Sequence, residues 1–493
     1  MKNISTLLTL IFSIGVFTSC DGDLDVNTDP NSPANITPAL ALASSEASII
    51  AMTGGEFANL GGFYAQYHTQ SPSAGQYDAI DQYNLSTSFG DRAWVELYSG
   101  ALNDLNYVLT EANKPENGNT GQALIATLLQ VYTYQVLVDV FGDVPYTEAL
   151  GGVSNFNPKP TPGDEIYKDL LVKIDAAVAA YNAKPVASGF GAQDVIYNGD
   201  AASWIKFANT LKLKIYLRMA YTSLANPAAV QALLAQNNFI TADAAFAKFG
   251  TAVAQQNPFY AVNLRPSPGL GDINHIASNT LLQFYASHND PRRTAVYRAS
   301  NAGAYLGLDQ GNGENFTNTA VSYARPNVGT QTPVYLLTVA ESNFLQAEAL
   351  IRYSGQAGAK AKYDLGVASS FTTYGVGAAN AAPFTAAGGA YEFVAGLPTE
   401  QAIRQVIIQK WASLANVNNI EAYIETTRTK FPEVVAFGSQ DYAKGNRIPS
   451  RTSILTGNAV PSILFYPQNE VDRNINITQR TSITQKVWWD QKN

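Results

Sequence analysis

Apolar residues recur at four-residue spacing along much of this chain, and that spacing constrains its architecture more than any other feature. Leu124, Leu128, Tyr132 and Val136 form one stripe, and Ile166, Leu170, Ile174 and Val178 a second. Trp204, Phe207, Leu211 and Ile215 form a third. Leu336, Ala340, Phe344, Ala347 and Ile351 make a fourth, and Ile403, Ile407, Trp411 and Leu414 a fifth. A period near 3.6 places each set on one face of an α-helix. Start signals precede two of them, Pro162-Gly163-Asp164-Glu165 and Pro398-Thr399-Glu400. Helix starts about 35–45 residues apart fit a scaffold of paired helices that bury their apolar faces on one another.

The expected fold class is therefore mainly all-α. The run Trp204-x-x-Phe207-Ala208-x-x-Leu211 echoes the tetratricopeptide consensus, which makes the pairs tetratricopeptide-like. Between the stripes lie long polar stretches rich in Gly, Asn and Tyr, at residues 60–92, 255–275, 297–332, 373–397 and 437–470. Loops of this length are functional or disordered, and their aromatic content argues for function. Composition removes other classes. With 31 basic against 39 acidic residues, a net charge of −8 and no Lys/Arg cluster, the chain is not built to bind nucleic acid. One cysteine allows neither an internal disulfide nor a multi-thiolate metal site, and His68, His275 and His288 are scattered. No metal or cofactor is expected. The 27 tyrosines and sparse charge (14%) suit contact with neutral polar ligands.

The lone cysteine is itself informative. Residues 1–19 read as a secretory signal, with Lys2 as the charged start, Leu7 to Phe17 as the apolar stretch and Phe17-Thr18-Ser19 as the exit. A stretch of eleven residues falls short of the roughly 20 that span a bilayer, and no later segment is expected to span. A cysteine directly behind such a stretch resembles the bacterial lipobox, so Cys20 is the expected lipidation site and first residue of the mature chain. Asp21 to Ser32 fails as a calcium loop, because Val26 and Ser32 stand where Gly and Glu are needed. Residues 20–35 read instead as a hydrated tether, and residues 36–493 as one domain.

Several segments together carry a family resemblance. They are Leu24-Asp25-Val26-Asn27-Thr28-Asp29-Pro30-Asn31-Ser32-Pro33, Asp139-Val140-Phe141-Gly142-Asp143-Val144-Pro145-Tyr146 and Gln346-Ala347-Glu348-Ala349. Gln409-Lys410-Trp411 with Glu421-Ala422-Tyr423, Arg447-Ile448-Pro449 with Tyr466 to Glu470 and Asn474, and Val487-Trp488-Trp489-Asp490 complete the order. In that order they resemble the SusD/RagB family of outer-membrane lipoproteins of Bacteroidota. The resemblance implies four tetratricopeptide-like helix pairs, a lipid-anchored protein on the outer membrane facing outward, and an acidic export tag at Asp21 to Asp25. It also implies a SusC-type TonB-dependent transporter as partner, with an oligo- or polysaccharide, or in some members a peptide, as ligand.

A sugar site needs flat aromatics for stacking and amides or charged groups at their edge. Two loop segments offer this mixture. Tyr64, Gln66, Tyr67, Tyr77, Tyr83 and Asn84 come from one, and Tyr305, Tyr323 and Arg325 from the other, as candidate ligand contacts. Tyr64 and Tyr67, three apart, also read as the buried stripe of a helix continuing from residue 40. Trp94, Trp204 and Trp411 sit in helical patterns as core, and Trp488 and Trp489 read as structural.

No catalytic motif emerges. Four Gly-x-Gly sequences, at Gly189, Gly269, Gly311 and Gly375, are followed three residues on by Asp194, Asn274, Phe316 and Asn380, so none completes a dinucleotide fingerprint. A nucleophile elbow, a phosphate-loop lysine and a His-Glu-x-x-His are all missing. A glycosidase needs only two carboxylates. However, Asp164-Glu165 read as a helix start, Asp139 and Asp143 as a loop, and Glu348 as a buried partner for an arginine. The expectation is a binding protein with no catalytic residues. The anchor is directly testable: in cell fractionation, Cys20→Ala should move the protein from the membrane to the soluble fraction, and retention on the membrane would refute lipidation there.

Overall fold

A computed structural model describes residues 36–312 and 322–492. Helix accounts for 51% of the structure and strand for 6%, so the all-α expectation holds. The apolar stripes form buried helix faces, and Leu124, Leu128, Ile166, Leu170, Trp204, Phe207, Phe344 and Ile403 have no measurable exposure. Leu336, read as the start of the fourth stripe, instead lies in the strand Val334–Leu337 that precedes the helix. Polar residues at the ends set the boundaries. The side chains of Asn119, Asp200, Asn226, Thr338 and Asn418 each accept a backbone N–H of the first helical turn.

The helices pack in sequential pairs. Thr120–Phe141 lies against Gly163–Ala183, Ala201–Arg218 against Pro227–Gln236, Val339–Tyr353 against Ala359–Thr373, and Thr399–Ser413 against Asn419–Thr429. Each pair also touches the next, as the repeat spacing implies. Among the described residues the four sheets are two-stranded and antiparallel, and they tie loops to the scaffold. His68–Gln70 pairs with His275–Ala277, and Tyr297–Arg298 with Arg325–Pro326.

One expectation needs correction. The helix Thr120–Phe141 is long and apolar enough to cross a membrane (22 residues, with a mean hydropathy of 1.5 over its most apolar 18), but 94% of that 18-residue stretch is buried inside the protein. It is a core helix because its neighbours cover most of its surface. Asp139 lies within that helix rather than in a loop, and is 1% exposed. Trp94, Trp204, Trp411 and Trp489 are core residues as expected.

Asp139 belongs to a buried network that joins all four pairs. Arg218 contacts Asp139 at 3.1 Å, Glu421 at 2.8 Å and Glu425. Lys214 contacts Glu421 at 2.8 Å and Glu341 at 3.1 Å, and Lys410 contacts Glu421 and Glu425. Arg428 grips Glu348 and Glu425, each at 2.7 Å, and Arg352 also pairs with Glu348 at 2.7 Å. Glu348 is thus the arginine partner that its helix position implied. Burial alone would raise the Glu421 carboxyl, but Arg218, Lys214 and Lys410 outweigh it and hold the group down to about 2.

The N-terminal part closes over the last pair. Helix Pro38–Gly54 breaks at Gly55, and Glu56–Tyr64 then packs on Asn419–Thr429. Gly61 is required there, since a Cβ would stand 2.3 Å from the Asn419 carbonyl. Cys20 and the tether through residue 35 lie outside the described residues.

The network generates a stability contrast. Arg428→Met leaves two buried carboxylates facing each other and should cost about 3–5 kcal/mol in urea unfolding. Lys168→Met removes a surface pair with Asp164 and should cost about 0–1 kcal/mol.

Candidate functional site

The nine side chains proposed as a ligand surface divide by burial. Tyr64 (3% exposed) packs edge-on against Tyr83 and Tyr423, at 5.5 and 5.1 Å between rings. Tyr67 is fully buried beside Trp411 and donates its hydroxyl proton to the Trp411 carbonyl. Gln66 accepts from the Thr280 hydroxyl at 2.9 Å and from Ile448 N–H at 3.2 Å. Tyr83 and Tyr323 are core residues, and Arg325 pairs with Asp272 at 2.8 Å and donates to Asn301. These six hold the loops to the scaffold and offer no face to a ligand, which corrects the expectation for each. Tyr64 closes the helix Glu56–Tyr64 on its buried face, whereas Tyr67 lies beyond that helix, after Gln66 at φ 62°, and packs on Trp411. The helix expected to continue from residue 40 breaks at Gly55 and ends before Tyr67. Asn84 is exposed, and Tyr305 is half-buried beneath the Arg293 guanidinium, and neither is part of the two clefts described below.

Tyr77 does line one. The short helix Asp78–Asp81 divides two adjacent clefts. The larger, about 450 Å³, is walled by Tyr77, Phe89, Ile80, Pro258 and Val262, with Asn59, Asn263, Glu56 and Arg92 as its polar members. Tyr77 is held firmly at its edge. Its hydroxyl accepts from Asn59 Nδ2 at 3.1 Å and donates to Asn263 Oδ1, while Asn263 Nδ2 donates to Asn59 Oδ1 at 3.2 Å. Its backbone N–H donates to Gln70 Oε1 at 2.9 Å, and its ring rests on His275 at 4.8 Å. Burial pushes the Tyr77 hydroxyl up to about 12, so it stays protonated at neutral pH.

The smaller cleft, about 270 Å³, is polar, with Gln70, Ser71, Asp78, Gln82, Thr452 and the buried Asp81 among its lining residues. Here the two loop segments do meet. Asp81 accepts from the Thr69 hydroxyl (3.0 Å), the Gly311 N–H (3.1 Å) and the Gln310 amide. Burial raises the Asp81 carboxyl to about 7, although these donors oppose the shift. Two of the scattered histidines also come together, His68 and His275 with rings 5.6 Å apart, and burial keeps both neutral. Among the described residues, no group of three or more His, Cys, Asp or Glu stands ready to hold a metal ion.

Glu56, Asn59, Phe89, Arg92 and Asn263 escaped the sequence reading. The first four fall in or beside the polar stretch 60–92, but nothing in their local pattern separates a cleft wall from a loop. Burial raises the Glu56 carboxyl to about 7, the Arg92 charge opposing this and the Asp91 charge adding to it. A carboxyl raised in the folded state contributes stability below its unfolded value near 4.5, and loses it as pH climbs through about 7. Thermal melts from pH 5 to 8 should therefore show Glu56→Gln gaining on the parent as pH rises, and a constant gap would refute the shift.

Comparison with known proteins fixes the lineage. Residues 30–454 match the SusD-like family described as starch-binding and associating with the outer membrane. No curated protein matches the chain. Among solved structures, a SusD homologue from Bacteroides uniformis is similar at 23% identity and TM-score 0.72, covering 92% of this chain and 99% of that one. A chitin-binding SusD homologue from Flavobacterium johnsoniae is similar at 19% identity and TM-score 0.73, over 91% and 98%. A SusD homologue from Bacteroides fragilis follows at 19% and 0.71, over 93% and 100%. The helix pairs, the ordered motifs and this match over most of the length agree: the chain belongs to the SusD-like family.

Proposed function

We propose that this protein is a cell-surface lipoprotein that captures oligosaccharides in the Tyr77 cleft and passes them to a SusC-type TonB-dependent transporter, without catalysing a reaction on them. The observation that carries the reading is the cleft itself. It sets two aromatic side chains, Tyr77 and Phe89, among amides and the Arg92 guanidinium, the combination that a sugar's apolar ring face and hydroxyl rim demand. Family membership supports the same class, since the family is described as starch-binding at the outer membrane, and one structural neighbour is described as chitin-binding. The transporter partner and the lipid anchor at Cys20 follow from the family resemblance and from the place of the single cysteine.

The test is a glycan array followed by calorimetry on the best ligand. Phe89→Ala and Tyr77→Ala should each weaken binding by about 1–3 kcal/mol, taking base stacking on aromatic platforms as the guide. That is roughly 5- to 150-fold. Tyr305→Ala should leave affinity unchanged. A bound glycan indifferent to both Phe89 and Tyr77 would place the site elsewhere.

A further inference from the structure

Phe437, on the loop that follows the last helix pair, is 49% exposed, and an arginine covers one face of its ring. The Arg451 guanidinium lies 3.5 Å from the ring centre, within stacking contact. That guanidinium is itself fixed, because its Nη2 donates to Asp309 Oδ2 at 2.6 Å. Asp309 in turn accepts from the Tyr442 hydroxyl at 2.8 Å and from Asn279 Nδ2 at 2.9 Å. Burial alone would raise the Asp309 carboxyl, but the hydrogen bonds from Asn279, Arg451 and Tyr442 outweigh it and hold the group below its ordinary value. An exposed ring without such support samples several rotamers. This one is braced on one face and open to water on the other, so a ligand that stacks on it orders little that is not already ordered.

The braced ring stands beside the smaller, polar cleft. The Arg451 N–H donates to the Gln310 carbonyl at 3.0 Å, and the residues that follow these two, Thr452 and Gly311, both line that cleft. The Ile454 N–H donates to the carbonyl of Gln82, another lining residue, at 3.0 Å, so the loop carrying Arg451 is fastened to the cleft at two points. We infer that Phe437 and this cleft form a second sugar subsite: an uncharged pyranose ring stacks on the open face of Phe437, and its hydroxyls enter the polar cleft past Thr452. This rests on reading the protein as a glycan binder. Charge selects an uncharged sugar, because the Arg451 cation is matched by Asp309 while Asp78 and Asp81 also line the cleft. A uronate or sulfated sugar would meet those acids with like charge. An aromatic peptide side chain could stack on the ring, but it would bring no hydroxyl rim to the polar walls.

The test is calorimetry on the full chain in detergent with three neutral probes, maltoheptaose, cellohexaose and chitohexaose, and one acidic probe, an oligogalacturonate of similar length. At least one neutral probe should bind, and tighter than the oligogalacturonate. For that probe Phe437→Ala should weaken binding about 5- to 150-fold, the range for losing one stacked aromatic. Phe437→Trp should retain affinity, whereas Phe437→Leu should lose it, since bulk without a flat face cannot stack. Phe156→Ala, at a ring 73% exposed elsewhere on the surface, should change nothing. If Phe437→Ala lowers the melting temperature, the contrast between the Trp and Leu variants decides. Affinity unchanged by Phe437→Ala, affinity fully kept by Phe437→Leu, or tighter binding of the oligogalacturonate than of every neutral probe would overturn the inference. A neutral glycan weakened by Tyr77→Ala and Phe89→Ala but indifferent to Phe437→Ala would overturn the second subsite and leave capture in the Tyr77 cleft intact. Failure of all three neutral probes and of every glycan on the array would overturn both.

Discussion

Five cations and five carboxylates meet inside this protein where the four helix pairs converge. Lys214, Arg218, Arg352, Lys410 and Arg428 face Asp139, Glu341, Glu348, Glu421 and Glu425. The charges balance, and every helix pair contributes at least one member. Ion pairs of this kind add little net stability over a well-packed apolar core, because removing each charge from water is expensive. Their effect is on register. If one helix slid by a turn past its neighbour, a charge would remain buried without its partner, and that state is disfavoured by several kcal/mol. The apolar stripes alone would tolerate such slips, since Leu, Ile and Val pack in many ways.

The rest of the structure depends on that fixed register. Helix Glu56–Tyr64 packs on Asn419–Thr429, the helix that carries Glu421, Glu425 and Arg428. Gly61 brings its backbone against that of Asn419, so the position of one helix sets that of the other. Glu56 and Asn59 project from this same helix into the cleft, and Asn59 orients the Tyr77 hydroxyl. The cleft is thus built on a rigid element whose placement traces back to the charge network. A site that recognises its ligand through a few aligned groups gains from such rigidity, because less freedom is lost on binding.

The buried tyrosines serve the same end. Tyr67, Gln66 and Arg325 spend their polar atoms on loop backbone and neighbouring side chains, fastening long connections that carry little regular structure. Tyr-rich loops are easily read as binding surface. Here most of that chemistry is mortar, and Tyr77 alone among the named tyrosines turns a ring toward a cleft.

Much of the scaffold was determined by sequence. Stripes with a period near 3.6 specify helices and their buried faces because periodicity is a local property, and each of the five stripes falls largely on one helix, although Leu336, counted into the fourth, belongs to the strand Val334–Leu337. The ordered motifs marked the lineage, and several of them, at Asp139, Glu348, Lys410, Glu421 and Trp489, are members of the network or, for Trp489, donate to it. What sequence could not state is that these positions meet, since they lie up to 350 residues apart and no local pattern records which carboxylate finds which cation. The same limit hid the site. Tyr64 and Tyr77 have similar neighbours in the chain, and only the packing of Glu56–Tyr64 on Asn419–Thr429 buries one and leaves the other at a cleft. Asn263, nearly 200 residues from Tyr77, completes the cleft through a hydrogen bond that exists only once the chain has folded. Helix identity is written in neighbouring residues, whereas burial and juxtaposition depend on contacts between distant ones, and those the tertiary structure alone decides.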